Sequence, residues 1–355
     1  MAINSIYHTW RKKLEQLREG TNKARLSSFT LLLAGLYMSS SVHLSKIARK
    51  LPGEATNNSK TRRLMRILDN HHVQVRPWYK PIAQDILQEI ENHKLEVRLL
   101  VDGSKVGFGH QLLMISVAYR RRSIPIVWTW VRHKRGHSSA KKQMALLTYA
   151  RKLMPKNVMV SVAGDSEFGA IPVLELLDGW GWKYALRQKG NHLVQISSQW
   201  QRLDALVKRG ESKFLSTIVL TKSHGYQTNI LLYWAANENE PWLIASNLPA
   251  KRSVLATYKR RMWIEAMFGD FKKSGFDLES THLRHFLRLS RLTLAVALLY
   301  VWLTAFGSQV IKNGQRRLVD RNDRRDLSIF RIGFDSIDRR LANQKPISIR
   351  LLPYF

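Results

Sequence analysis

The sequence predicts an α/β fold with helical flanks, on three observations. Apolar residues switch from a helical period to a period of two at about residue 95. The run NVMVSVAG is apolar almost without a break, as in a strand buried on both faces. Helices alternate with strands after an initial three-strand meander, an α/β order.

Residues 1–93 read as helical and basic, with apolar residues at helical spacing over 29–38 and again at Leu44, Ile47, Ala48 and Leu51. SVHLSKIARKL, a turn at Pro52-Gly53 and ATNNSKTRRLMRILDN have the proportions of a helix-turn-helix. Its second helix would present Asn57, Asn58, Lys60, Arg62, Arg63 and Arg66, donors suited to phosphates and base edges. An ordinary helical pair with a solvated basic face satisfies the same spacing.

Leu95, Val97, Leu99 and Val101 alternate with Glu96 and Arg98, the pattern of a strand with one buried face. QLLMISVAY and IPIVWTWV form a hairpin of two further strands. A helix capped by Ser138 or Ser139, the strand NVMVSVAG, a short helix over 171–177 and the strand WKYALR follow. This order matches a ribonuclease H-like catalytic domain over residues 94–310. Residues of about 190–250 read as a β-rich insertion forming a small sheet of its own, and long helices are expected over about 253–273 and 286–306. Residues 311–355 are a basic, helical C-terminal region.

Composition narrows the function. The 355 residues carry 58 Lys and Arg against 26 Asp and Glu, a net charge of +32 that is self-repelling unless a polyanion such as nucleic acid neutralises it. A hydrophobic content of 45% is enough for a folded core. With no cysteine, disulfides, thiolate metal sites and cysteine nucleophiles are excluded. The N-terminus shows no secretory pattern. Residues 292–307 are apolar but shorter than the ~20 residues of a bilayer span, and Arg288 and Arg291 lie just upstream, so a core helix and no membrane are expected. The expected setting is the cytoplasm, associated with the nucleoid when bound to DNA.

Asp102 ends the first strand and Asp165 follows the fourth directly, at the strand ends where α/β sheets gather ligand groups. Singly, each is an ordinary turn or cap residue. As a pair they lie on strands that neighbour one another in a ribonuclease H-like order. A helical wheel at ~100° per residue then gathers Tyr258, Arg261, Glu265 and Lys272 on one face, opposite Ile264, Met267 and Phe271. The apolar face packs on the core, so the polar stripe points to a cleft or to solvent.

The spacing Tyr-x2-Arg-x3-Glu-x6-Lys in that stripe resembles the signature of the bacterial DDE transposases of insertion sequence family four. The resemblance covers roughly residues 95–310, and no signature position departs from it. It implies a triad of Asp102, Asp165 and Glu265 holding two Mg²⁺ ions, with Mn²⁺ as a substitute, because hard carboxylate oxygens suit these ions. The nucleophile would be water in the first nick and a DNA 3′-OH in strand transfer. Tyr258, Arg261 and Lys272 would hold phosphates near the transposon end. By the same resemblance, a base flipped out during hairpin formation would stack on a tryptophan of the insertion, Trp242 or, second, Trp234. Either ring also fits the core of the small sheet. Arg187, Lys189 and Arg284 are further candidate DNA contacts or a solvated basic face.

The implied function is cut-and-paste transposition by a homodimer, with double-stranded DNA (terminal inverted repeats and target) as partner. A ribonuclease H-like nuclease without strand transfer and a non-catalytic DNA-binding regulator are the alternatives. The acidic triad argues against the regulator, and the separate basic N-terminal region argues against the simple nuclease.

Overall fold

Helices α1 (Ala2–Leu17), α2 (Lys23–Ser39), α3 (Leu44–Lys50), α4 (Asn57–Asp69) and α5 (Val75–Asn92) lead into the sheet in a computed structural model that describes residues 2–106, 109–132 and 138–355. Asn22 starts α2 by accepting the Ala24 and Arg25 amides on its side chain, and Thr56 starts α4 by accepting that of Ser59. Helix α2 is buried nearly all round, including Leu26, Phe29, Leu32, Leu33 and Leu36.

The described residues form one ten-stranded sheet in the order β3-β2-β1-β4-β5-β10-β9-β8-β6-β7. Its first half comprises β1 (Val97–Val106), β2 (His110–Tyr119), β3 (Arg122–Arg132), β4 (Val160–Gly164) and β5 (Lys183–Arg187). The meander β3-β2-β1 is antiparallel, whereas β4 runs parallel to both β1 and β5. Parallel neighbours need crossovers, supplied by α6 (Ala140–Arg151) and α7 (Ile171–Gly179). Strand β4 is buried at every position, as its unbroken apolar run requires.

The second half holds β6 (Leu193–Ile196), β7 (Gln199–Arg202), β8 (Ser212–Leu220), β9 (Tyr226–Tyr233) and β10 (Trp242–Ser246). These strands do not make the separate small sheet expected from the sequence. Strand β10 pairs antiparallel with β5, Ile244 opposite Arg187, so the β-rich segment extends the main sheet from its edge. Strands β6 and β7 have four residues each and lack a clear apolar alternation, which hid them in the sequence.

The helix expected over 253–273 is two, α8 (Lys251–Lys259) and α9 (Met262–Phe271), separated by Arg260 and Arg261. Helix α10 (Phe286–Lys312) has 27 residues, longer than expected, and by length and composition alone could cross a membrane. Burial decides the matter: 89% of its most apolar stretch lies inside the protein. Trp10 meets Trp302 of α10 edge-on with ring centroids 5.6 Å apart, and Tyr37 donates to Asp338 of α11 (Ile329–Ala342) at 2.7 Å. The N-terminal helices thus share their core with α10 and α11.

Candidate active site

Strand register builds the floor of the site. Val101, Gly164 and Leu186 are paired across β1, β4 and β5. The next residue on each strand is Asp102, Asp165 and Arg187, so two acids and a base stand in one row. Asp102 does not end its strand as the sequence suggested. Strand β1 continues to Val106 against β2, with Asp102 opposite Met114, while its parallel neighbour β4 stops at Gly164. Asp102 therefore sits inside a rigid strand yet just past the cover of β4. Asp165 leaves β4 into a 3-10 turn (Ser166–Phe168), where its Oδ1 accepts the Ser166 amide at 2.7 Å.

The break between α8 and α9 sets the roof. Arg261 projects from it, and its Nη1 lies 2.6 Å from Glu265 Oε1 and 3.8 Å from Asp102 Oδ2. Glu265, one turn into α9, is thereby joined to Asp102 through one guanidinium. Asp165 belongs to Arg187, whose Nη1 is 4.0 Å away and whose Nη2 donates to Glu240 at 3.0 Å and to the Pro241 carbonyl at 3.1 Å. The three acids face one region but do not converge: among the described residues, no group of three or more His, Asp or Glu side chains stands close enough to hold a metal ion. The side chains of Asp165 and Glu265 are 37% and 43% exposed and lie at the rim, whereas that of Asp102 is 15% exposed and forms the base.

Burial dominates the electrostatics. It pushes the Asp102 carboxyl up to about 7, with Asp165 and Glu265 adding to the rise and Arg261 and the Gly103 amide opposing it. A buried carboxyl held back from ionising, on a site of carboxylates with no thiolate, has the chemistry that a hard divalent cation satisfies. The donors are hard carboxylate oxygens, the type that Mg²⁺ and Mn²⁺ prefer.

The four-residue stripe is only partly assembled. Arg261 and Glu265 are at the site, and Tyr258 is buried in its wall, within electrostatic reach of Asp165, Arg187 and Arg261: its ring lies 5.8 Å from the Arg261 guanidinium carbon and edge-on to Trp242 at 5.2 Å. Lys272, past the end of α9, reaches Glu279 at 2.8 Å. The wheel failed here because it assumed one unbroken helix, while the chain turns at 260–261 and stops before 272.

Trp242 is half-buried between Tyr233 and Tyr258, next to the carbonyl that holds Arg187. Trp234 instead donates to the Glu238 carbonyl and lies under Arg209. Lys189 is exposed just beyond β5, and Arg284 is exposed with its carbonyl bonded to His110. Arg62, Arg63 and Arg66 are exposed on α4, opposite the buried Leu64, Ile67 and Leu68, while Lys60 is held by the Leu51 carbonyl at 2.9 Å.

Sequence reasoning missed Glu167. Its carboxylate accepts the Ser138 amide at 2.6 Å, the Ser138 hydroxyl, and Gln111 Nε2 at 2.9 Å. It ties the turn that carries Asp165 to β2 and to the start of α6. Ser138 therefore serves Glu167, and the helix cap is Ser139, without a side-chain bond. Gly103 lies beside this tie, and a Cβ there would displace the Gln111 amide from its present place. An acid two residues beyond Asp165 was the available signal.

Residues 97–302, which hold all three acids, match the family described as the transposase DDE domain. The chain belongs to the DDE transposases. No curated protein matches it. Among solved structures, a cryo-EM structure of the piggyBac transposase synaptic complex with hairpin DNA is similar at 9% identity and a TM-score of 0.43, over 99% of this chain and 83% of that one. The matched span of this DDE transposase starts with β1 and ends within α10.

Proposed function

We propose that this DDE transposase is a cut-and-paste enzyme of insertion sequence family four, acting on double-stranded DNA at the terminal inverted repeats and joining the freed ends to target DNA. The observation that carries the reading is the row Asp102, Asp165 and Arg187 on three parallel strands with Glu265 above it. The antiparallel meander continued by parallel β4 and β5 supports a ribonuclease H-like catalytic domain over 94–310, flanked by a DNA-reading domain (1–93) and a basic C-terminal region (311–355). Such an enzyme would work as a homodimer on two ends, in the cytoplasm at the nucleoid.

Asp102, Asp165 and Glu265 would hold two Mg²⁺ ions, or Mn²⁺ in their place. Bound there, the ions supply charge that activates an attacking oxygen and steadies the leaving one. The chain's own groups position the substrate. Arg187 and Arg261 offer planar guanidinium forks to phosphate oxygens flanking the scissile bond, with Lys189, Lys272 and Arg284 as outer contacts. Trp242, half-buried between Tyr233 and Tyr258, is the ring that would meet an unpaired base. Arg62, Arg63 and Arg66 would read the repeat from α4.

The test is cleavage of an end-containing duplex in Mg²⁺, run on a denaturing gel. Glu265→Ala is expected to lower nicking by about a hundredfold to a thousandfold, the usual cost of losing a group that stabilises transition-state charge, while end binding stays within a fewfold. A Glu265→Ala protein that still nicked would sink the assignment. Nicking without joined target product would favour a simple nuclease, and a hairpin band would support Trp242 as the stacking residue.

A further inference from the structure

Arg261 is placed to do more than hold a phosphate. A guanidinium carries five N–H donors in a fixed fork, and this one is nine-tenths buried. Its Nη1 serves both Glu265 and Asp102, but Nη2 reaches only the Met262 sulfur at 3.3 Å, and Nε is buried without a hydrogen bond, the Tyr258 hydroxyl being the neutral oxygen nearby. Unmet donors on a buried cation are costly. The group is held by charge against two carboxylates, while much of its hydrogen-bonding capacity awaits an oxygen. Asp102 is equally under-served, with one close amide donor from Gly103 and a cation no nearer than 3.8 Å.

Two cations with a claim on the same oxygens exclude one another in part. A divalent ion held by Asp102 and Glu265 would compete for the carboxylates that Arg261 Nη1 contacts. Like charges side by side in a low-dielectric cleft repel strongly. A DNA phosphate supplies the acceptors that Arg261 lacks and draws it off the carboxylates.

We propose that Arg261 is an exchangeable internal cation: it competes with the divalent ion for Asp102 and Glu265, and passes to a backbone phosphate when DNA docks, so that metal uptake and DNA docking reinforce each other. By linkage the coupling is mutual, with DNA raising metal affinity by the factor by which metal raises DNA affinity. The site would bind metal weakly until DNA arrives, which guards against stray cleavage. The inference rests on the three-acid reading above.

The experiment is a titration of the purified full chain, without DNA, with Mn²⁺ alone, following free Mn²⁺ by its electron paramagnetic resonance signal. Arg261→Gln is expected to bind Mn²⁺ about tenfold tighter than the natural chain, within the usual range of such couplings. Adding Asp102→Asn should abolish the gain. Arg261→Lys, which keeps a positive charge in the same cavity, covers the case in which the amide upsets folding, as judged by circular dichroism. It should stay within about threefold of the natural chain. Unchanged or weaker binding in Arg261→Gln, or a tenfold gain in Arg261→Lys, overturns the exchange. If Asp102→Asn lowers Mn²⁺ binding in those cases, the three-acid reading survives the loss of the exchange. If Asp102→Asn changes nothing in any background, both fall together.

Discussion

Asp270 shows how far burial governs single residues in this chain. It is 4% exposed, on the same helix as Glu265 but turned inward, and Arg122 donates to it at 2.9 Å. Burial outweighs that pairing and pushes its carboxyl from 3.8 up to about 6. A carboxyl raised on folding contributes stability that is complete below its unfolded value of 3.8 and is lost as pH rises through about 6. At neutral pH the loss is on the order of 2–3 kcal/mol at the standard conversion. Thermal midpoints of the natural chain and Asp270→Asn, compared at pH 5 and pH 7.5, should therefore shift in the variant's favour at the higher pH. A gap that stays constant, or moves the other way, refutes it. Single residues were also where the sequence was most legible. Asp102 and Asp165 could be picked out as acids placed near strand ends, and Glu265 through its spacing from Tyr258, Arg261 and Lys272, although β1 in fact runs on past Asp102. Glu167, two residues past Asp165, was overlooked because its partners Ser138 and Gln111 come together only through the sheet.

Elements were legible where their apolar pattern was strong and obscure where a bond other than packing ended them. The meander, β4, β5 and α10 follow from periodicity, but the stop between α8 and α9 carries no proline or glycine to announce it. The fit of α10 against α11 was likewise invisible in the sequence, since it depends on bare backbone. A Cβ on Gly333 would run into the Leu303 carbonyl, and one on Gly307 into that of Ile329. The two helices approach as closely as they do because neither position has a side chain. Gly333→Ala is expected to destabilise the protein by about 1–3 kcal/mol or more, the usual cost of overpacking. A urea midpoint equal to that of the natural chain would show that the helices part without penalty.

At the scale of the whole molecule, charge and sheet continuity matter most. A surplus of +32 implies binding that releases many counterions from DNA. With 6–10 phosphates contacted, affinity for a duplex should fall by about 10³–10⁵ between 50 and 200 mM salt. Fluorescence anisotropy across that range measures it, and a slope near zero would mean that the charge serves something other than DNA. Composition made the charge plain, but it gave no sign that the outer strands would join the inner ones. That seam, with Ile244, Ala245 and Ser246 laddered to Arg187, Leu186 and Ala185, has a mechanical consequence. The outer strands hang from β5 through this ladder, so Trp242 stands two residues along β10 from the partner of Arg187. Any displacement of the indole's strand bears on the neighbour that faces Arg187 to Asp165.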